Sequence, residues 1–355
     1  MRHPGHPTPT FRTRHAGRRL LSVALLAGFA SACNWVSLAK NAFTYDTIRR
    51  GEAGNLAALD TLIYATTAED GLVIVGAPSG RVLATVPPAA GTESADDLAI
   101  ADGLLFVLDA RPPGHLSVYL LTDPLHPRLV APPRDVPVGP FSGVSANGGL
   151  CVVSGGTSQL TAWGYDSTGG LSGPVATADL GRGQPDVLVA RDGRLAYVAT
   201  HYRGPDFGLD VVRYDPAAGR LQKLAELELD GAGFTEGGAK PANFPIQAAI
   251  LGDDTLLVAY RRGVAVIAIG VPRRPAVLER IDVGGPAVHI AVMGTAAVVA
   301  VAGARPALVM LDFSSSPVGI TRRALAAGTS PAGVILTPAY AALAARDRGV
   351  LVFAR

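Results

Sequence analysis

From about residue 53 onward the chain is a succession of short apolar runs, each stopped by Gly, Pro or a Ser cluster. Residues 286–328 show the pattern most cleanly, as Ala287–Met293, Ala296–Ala302, Ala307–Phe313 and Gly319–Ala326. Runs of this length, rich in Val, Ile and Ala and punctuated by turn formers, predict strands and not helices. The same unit recurs along the chain. Equivalent second-strand positions fall at Tyr64, Phe106, Val152, Tyr197, Val258, Val298 and Ala342, with gaps of 42, 46, 45, 61, 40 and 44 residues. The one long gap holds a Gly-rich insertion at 230–245. A four-stranded unit cannot bury both faces alone, and radial stacking of seven copies predicts an all-β fold, a seven-bladed β-propeller of antiparallel blades.

The last unit supplies three strands, Ala332–Leu336, Tyr340–Ala344 and Gly349–Ala354, and the sequence then ends. An orphan run near the start, Phe43–Ile48, is predicted to fill the missing outer place and so close the ring. Third strands such as 264–269 (VAVIAI) are apolar at consecutive positions, the pattern of a strand covered on both faces. Gly 42 and Pro 27 interrupt the chain so often that only Asn34–Arg50 and Asn55–Asp70 leave room for a helix.

The first 32 residues are set apart. Five arginines and no acid precede the apolar run Leu20–Ala32, which ends in small residues. That is the pattern of a secretory signal peptide, too short to span a membrane. Ala30-Ser31-Ala32-Cys33 resembles the lipobox of bacterial lipoproteins, with Ala30 where Leu is commonest; ordinary cleavage and free export is the alternative. The expected organisation is therefore a signal peptide at 1–32, a lipid-anchored leader at 33–40 with Cys33 acylated, and a propeller at 41–355. Removal of those five arginines leaves 26 basic residues against 29 acidic, a net charge of −3, so nothing favours nucleic acid. With Cys33 acylated, Cys151 has no partner and reads as an inert thiol in a buried strand.

Leu72-Val73-Ile74-Val75, and Leu308-Val309-Met310-Leu311-Asp312 followed by Ser314-Ser315-Ser316-Pro317, resemble the LVIVD-type propeller repeat. Tyr197-Val198-Ala199-Thr200 with Tyr214-Asp215-Pro216 and Gly219-Arg220-Leu221 resembles YVTN and lactonase-type propellers. The resemblance spans nearly all of 53–355 and implies the fold; function has to come from a site. The catalytic residues of the lactonase-type enzymes find no residue-by-residue counterpart in this chain.

Candidate chemistry is sparse. His115, His126, His201 and His289 remain after processing, none at metal-ligand spacing, and no CxxC or GxSxG occurs. No metal and no cofactor is expected. Asp96-Asp97 and Asp253-Asp254 read as solvated turns. His289, on an innermost strand in apolar surroundings, reads as a hydrogen-bonded core histidine, and Trp163 as packing between blades. The loops joining second to third strands gather Arg111, His201, Tyr202, Arg203, Asp206, Arg261, Arg262, Arg346, Asp347 and Arg348. Arg beside Tyr and His suits recognition of a protein or an anionic group. The expectation is a non-catalytic periplasmic propeller, lipid-tethered to a membrane, that binds a partner protein or serves as an accessory subunit of a membrane complex. The alternative is a lactonase-like hydrolase or small-ligand propeller that uses its central funnel.

Overall fold

The structure, a computed structural model, describes residues 43–44, 53–67, 71–77, 79–138, 142–155, 158–181, 183–201, 207–229, 247–346 and 348–354. All of its strands fall within one compact unit, Trp35–Arg355. The signal peptide, Cys33 and the leader expected at 33–40 lie outside the described residues.

Twenty-nine strands form seven sheets, and no helix occurs among the described residues. β1 (Phe43–Thr44) comes first and belongs to the last blade. Blade 1 is β2 (Ala53–Leu59), β3 (Leu62–Thr67), β4 (Gly71–Gly76) and β5 (Arg81–Val86). Blade 2 is β6 (Asp97–Ala101), β7 (Leu104–Asp109) and β8 (His115–Leu120), with its outer strand split into β9 (Arg128–Leu129) and β10 (Arg134–Asp135). Blade 3 is β11 (Gly143–Asn147), β12 (Leu150–Ser154), β13 (Gln159–Tyr165) and β14 (Leu171–Asp179). Blade 4 is β15 (Gly183–Val189), β16 (Leu195–His201), β17 (Phe207–Asp215) and β18 (Arg220–Glu228). Blade 5 is β19 (Gln247–Leu251), β20 (Thr255–Tyr260), β21 (Gly263–Ala268) and β22 (Ala276–Ile281). Blade 6 is β23 (Ala287–Met293), β24 (Ala296–Val301), β25 (Ala307–Asp312) and β26 (Gly319–Ala324). Blade 7 is β27 (Pro331–Leu336), β28 (Tyr340–Ala345) and β29 (Gly349–Ala354), completed on its outside by β1.

The expected seven-bladed propeller is thus the fold. Its closure comes from Phe43 opposite Val352 and Thr44 opposite Leu351. The second strand expected around Tyr64 is β3, and the room the sequence leaves for a helix from residue 55 is not used: residues 55–67 form none. Asp60 takes a left-handed conformation (φ 53°), and the turn at Asp60-Thr61 folds the segment into the hairpin β2–β3, which local turn chemistry favours over a continuous helix. The other stretch considered for a helix, 34–50, lies outside the described residues except for the strand pair Phe43–Thr44.

Seven apolar clusters sit between successive blades. Tyr64, Leu72 and Ile74 of blade 1 meet Leu105 and Val107 of blade 2. Around the ring, Tyr340, Ala342 and Ala344 of blade 7 meet Ile63 and Ala65 of blade 1. Second and third strands are buried on both faces, as in β4, β24 and β28, because each is sandwiched between neighbouring sheets. The clusters also correct one expected equivalence. Val258 shares a cluster with Tyr197 of the preceding blade and faces backward, whereas Leu257 faces forward to Ala297 and Val299. The residue equivalent to Tyr64 in blade 5 is therefore Leu257. A slip of one residue in a strand exchanges the two faces.

Antiparallel alternation sets where function can sit. Second-to-third-strand loops, and the connections from one blade's outer strand to the next blade's inner strand, emerge on one face of the ring. First-to-second and third-to-fourth loops emerge on the other.

Candidate functional site: a central ring and one rim

The innermost strands β2, β6, β11, β15, β19, β23 and β27 place one equivalent residue each around the axis: Asn55, Asp97, Gly143, Asp186, Gln247, His289 and Gly333. Each stands two residues before the strand position paired with the Tyr64 equivalent, as Ala57 pairs Tyr64, Ala99 pairs Phe106 and Ala291 pairs Val298. Five of the seven are polar, and they lace the blades together.

The rule is simple. A side-chain acceptor at this position takes the backbone N–H of the next blade, from the residue just after its own equivalent. Val144 donates to Asp97 Oδ2 (2.7 Å), Ala248 to Asp186 Oδ2 (3.1 Å), Ile290 to Gln247 Oε1 (3.1 Å) and Val334 to His289 Nδ1 (3.1 Å). Inner-strand N–H groups are sheet-edge donors that would otherwise lack a partner inside the ring, and an orphaned buried donor costs about 1–3 kcal/mol. Gly143 has no side chain to offer, and Ser145 Oγ of the same strand serves instead, accepting from Val189 (3.0 Å).

Asn55 is a second exception, because the Leu98 N–H goes to Asp97 Oδ1; Gly333 is the third, and it has a consequence. A Cβ there would come within 2.8 Å of the Gly54 carbonyl oxygen, so blades 7 and 1 approach closely only because this residue is glycine. Across that gap His289 Nε2 reaches Asn55 Oδ1 (3.2 Å), and Asn55 Nδ2 donates to Asp97 Oδ1 (2.5 Å). Since Val334 N–H occupies Nδ1, the imidazole carries its proton on Nε2 and is neutral. Burial pushes its pKa down to about 3. A continuous chain, Val334 to His289 to Asn55 to Asp97 to Val144, therefore ties blades 7, 6, 1, 2 and 3.

Asp96 is exposed, as expected of a solvated turn, but Asp97 is 8% exposed and opens β6, which corrects that half of the expectation. Burial pushes its carboxyl up to about 7, although the N–H groups of Val144, Leu98 and Asn55 all favour the ionised form. Asp186 is pushed well above the usual range by burial and by the charge of Asp97. His289 is a buried, hydrogen-bonded core histidine, and Trp163 packs between blades 2 and 3. Asp253-Asp254 is exposed. Burial pushes the Cys151 thiol up.

On the second-to-third-strand rim, Arg111 occupies the β7–β8 loop, Arg261 and Arg262 the β20–β21 turn, and Arg346 and Arg348 the β28–β29 turn. Topology places all five on the same face. The blade-2 loop is built around Asp109. Burial opposes its ionised form, but the N–H groups of Glu93 and Arg111 and the Ser94 hydroxyl outweigh that and hold its pKa below the usual range. Arg111 in turn lies 3.7 Å from the Glu93 carboxylate. His201 ends β16 opposite Phe207, with its side chain outside the described set. Tyr202, Arg203, Asp206 and Asp347 are likewise outside the described residues.

Two features escape the sequence reading. Arg305, in the β24–β25 loop of blade 6, joins Arg261, Arg262, Arg346 and Arg348, so arginines stand on three consecutive blades of this face. The central ring is the other. Its signal was present as a constant offset: Asn55, Asp97, Gly143, His289 and Gly333 each stand nine residues before their blade's Tyr64 equivalent.

No known protein family matches the sequence, and no curated protein matches it. Many solved structures share the fold: 1275 chains match, too broad a set to select a reaction. One is the Cps50 (Swd1) β-propeller domain of Myceliophteria thermophila, with TM-score 0.62 and 11% identity over 88% of this chain and 99% of that one. Another is the computationally designed Ika8 protein, with TM-score 0.55 and 14% identity over 85% of this chain and 83% of that one. At such identities the likeness establishes the fold alone, a β-propeller.

Proposed function

We propose that this propeller binds a partner protein through its arginine-bearing rim and does so without catalysis, as a lipid-tethered periplasmic accessory subunit of a membrane complex. One observation carries the reading. The polar side chains around the axis are committed to backbone N–H groups of neighbouring blades, so they act as braces. Arg residues on the loops of blades 2, 5, 6 and 7 share one face of the ring, and Arg is suited to recognise another molecule through bidentate contacts to carboxylates and stacking on aromatics. Propellers commonly bind through such loops.

The test is photocrosslinking from positions 261 and 346 of the full-length chain in native membranes, with mass spectrometry of the mature N-terminus. A discrete crosslinked partner and a diacylated Cys33 are expected. Recovery as an uncrosslinked monomer from both positions would overturn the binding reading. An unmodified N-terminus would overturn the tether.

A second reading, a lactonase-like or small-ligand funnel, is favoured by Asp186, which keeps some accessible surface while its carboxyl is pushed towards the neutral form, as a general acid requires. Hydrolysis of simple lactones that disappears in Asp186→Asn would establish it, and absence of turnover in the wild type would remove it.

A further inference from the structure

We propose that the outer edge of blade 6, strand β26, is a docking edge onto which an extended acidic segment of a partner polypeptide adds as a fifth strand; this deepens the partner-binding reading and rests on it.

The other six outer edges are each protected. An outermost strand offers a row of backbone groups to any passing chain, and natural sheets blunt such edges with bulges, Pro or breaks. Blade 1 has a bulge that skips Leu83 between Ala84 and Val82. Blade 4 skips Leu224, and blade 5 skips Leu278. In blade 3 the register jumps from Ala176 to Ser172, with Pro174 inside the jump. In blade 2 the strand is broken between Leu129 and Arg134, across Pro132-Pro133. Blade 7 is covered by β1. Every one of these edges is interrupted or occupied.

β26 is different. It pairs with β25 without a shift from Ala307 opposite Ala324 to Asp312 opposite Gly319. Leu325 N–H donates to Pro306 O (2.9 Å), which fixes the alternation. The N–H and C=O groups of Ile320, Arg322 and Ala324 therefore point away from the blade. All three residues are exposed, Ile320 at 51%.

Its two arginines do not shield that edge. The Arg322 guanidinium folds along one face of the blade, donating to the carbonyls of Val283 and of Arg305 (2.6 Å for the latter). On the other face Arg323 lies 4.9 Å over the Phe353 ring of blade 7. Both keep their charge beside the edge, one on each side of the sheet. Asp312, opposite the first residue of the strand, is already held by the Ser314 N–H and hydroxyl.

The occupant follows from charge. An added strand with carboxylates at alternate positions sets them beside Arg322 or Arg323, as cross-strand pairs, while its backbone takes the three outward residues' donors and acceptors. Pairing of β26 with a second copy of itself would crowd four guanidinium groups along one short ladder, so a self-dimer is disfavoured.

The probes are two labelled eight-residue peptides, one alternating Glu and Val and one alternating Lys and Val, titrated against the full chain by fluorescence anisotropy. The acidic peptide should bind at least about tenfold tighter than the basic one. Ala324→Pro removes one outward N–H and no bond within the sheet, and should weaken the acidic peptide by about tenfold or more while the rim variant Arg261→Ala/Arg262→Ala leaves it unchanged. Hydrogen exchange at the Ile320, Arg322 and Ala324 amides should slow on peptide addition in the wild type, a readout that stands even if the Pro variant unfolds. Equal affinity for both peptides, no binding of the acidic peptide at about 1 mM, or protection elsewhere but not at these amides would each overturn the proposal. A rim crosslink that survives Ala324→Pro alongside a negative peptide result would sink the docking edge alone. Loss of rim crosslinking with a positive peptide result would sink the rim and leave the edge.

Discussion

Replacement of Asp97 by Asn isolates the contribution of the central ring to stability. In the folded protein burial pushes this carboxyl from the ordinary 3.8 up to about 7, so between those pH values the native state keeps a proton that the unfolded chain releases. Stability owed to this group is complete below about pH 4 and is lost as pH rises through about 7. The difference corresponds to about 4 kcal/mol, a large share of the 5–15 kcal/mol typical of a folded domain. Asn at this position cannot ionise. It also leaves one donor of the set Val144, Leu98 and Asn55 badly placed, a pH-independent loss of about 1–3 kcal/mol. Urea unfolding from pH 4 to 8, followed by the fluorescence of buried Trp163, should find the wild type more stable at pH 4 and its advantage gone or reversed at pH 8. Asp186 reinforces the trend, because the charge of Asp97 is one of the causes that raise it and Asn removes that cause. A stability difference that stays flat from pH 4 to 8 would refute the reasoning.

Four further outcomes are expected. His289→Phe strands the Val334 N–H and the Asn55 amide oxygen and should lower stability by about 2–5 kcal/mol, read as a fall in the urea midpoint; a neutral result would mean the lace is ornamental. Gly263→Ala drives a methyl into the Ile281 carbonyl oxygen at φ +122° and should lower Tm by several degrees, with Arg261 and Arg262 displaced in the same turn. Lys223→Met removes the ammonium 3.0 Å from the Asp210 carboxylate, which is 0% exposed, and should destabilise by about 3–5 kcal/mol, with Lys223→Arg recovering part of the loss. Cys151, buried and shifted away from thiolate formation, should resist iodoacetamide at pH 8 in native protein and react fully in urea.

The propeller itself was legible because its signals are local and repeated. Val/Ala-rich runs closed by Gly recur seven times, and the orphan Phe43–Thr44 had one vacancy to fill. The failures were of register. Tyr64 reads rightly as part of a second strand, but from residue 55 the sequence also leaves room for a helix, and the left-handed turn at Asp60 decides for the hairpin. Val258 and Leu257 are chemically alike, and a neighbouring blade is needed to tell which faces forward.

Register also explains why the ring stayed hidden while part of the rim did not. Arg261 and Arg262 announce themselves, since two adjacent cations in a turn have no place but a surface. Asp97 resembles Asp253 in sequence, each beside another Asp. The first is buried because it opens an inner strand and its carboxylate accepts the Val144 N–H of the next blade; the second sits in a first-to-second-strand turn in solvent. Polar residues that look isolated become one device once the blades are aligned, and the two glycines in the series mark where a side chain would collide or where Ser145 takes over. A ring held from within by His289, Asn55 and Asp97 does not depend on its loops for closure. That independence leaves the arginine-bearing rim and the plain edge of blade 6 free to vary in sequence without loss of closure.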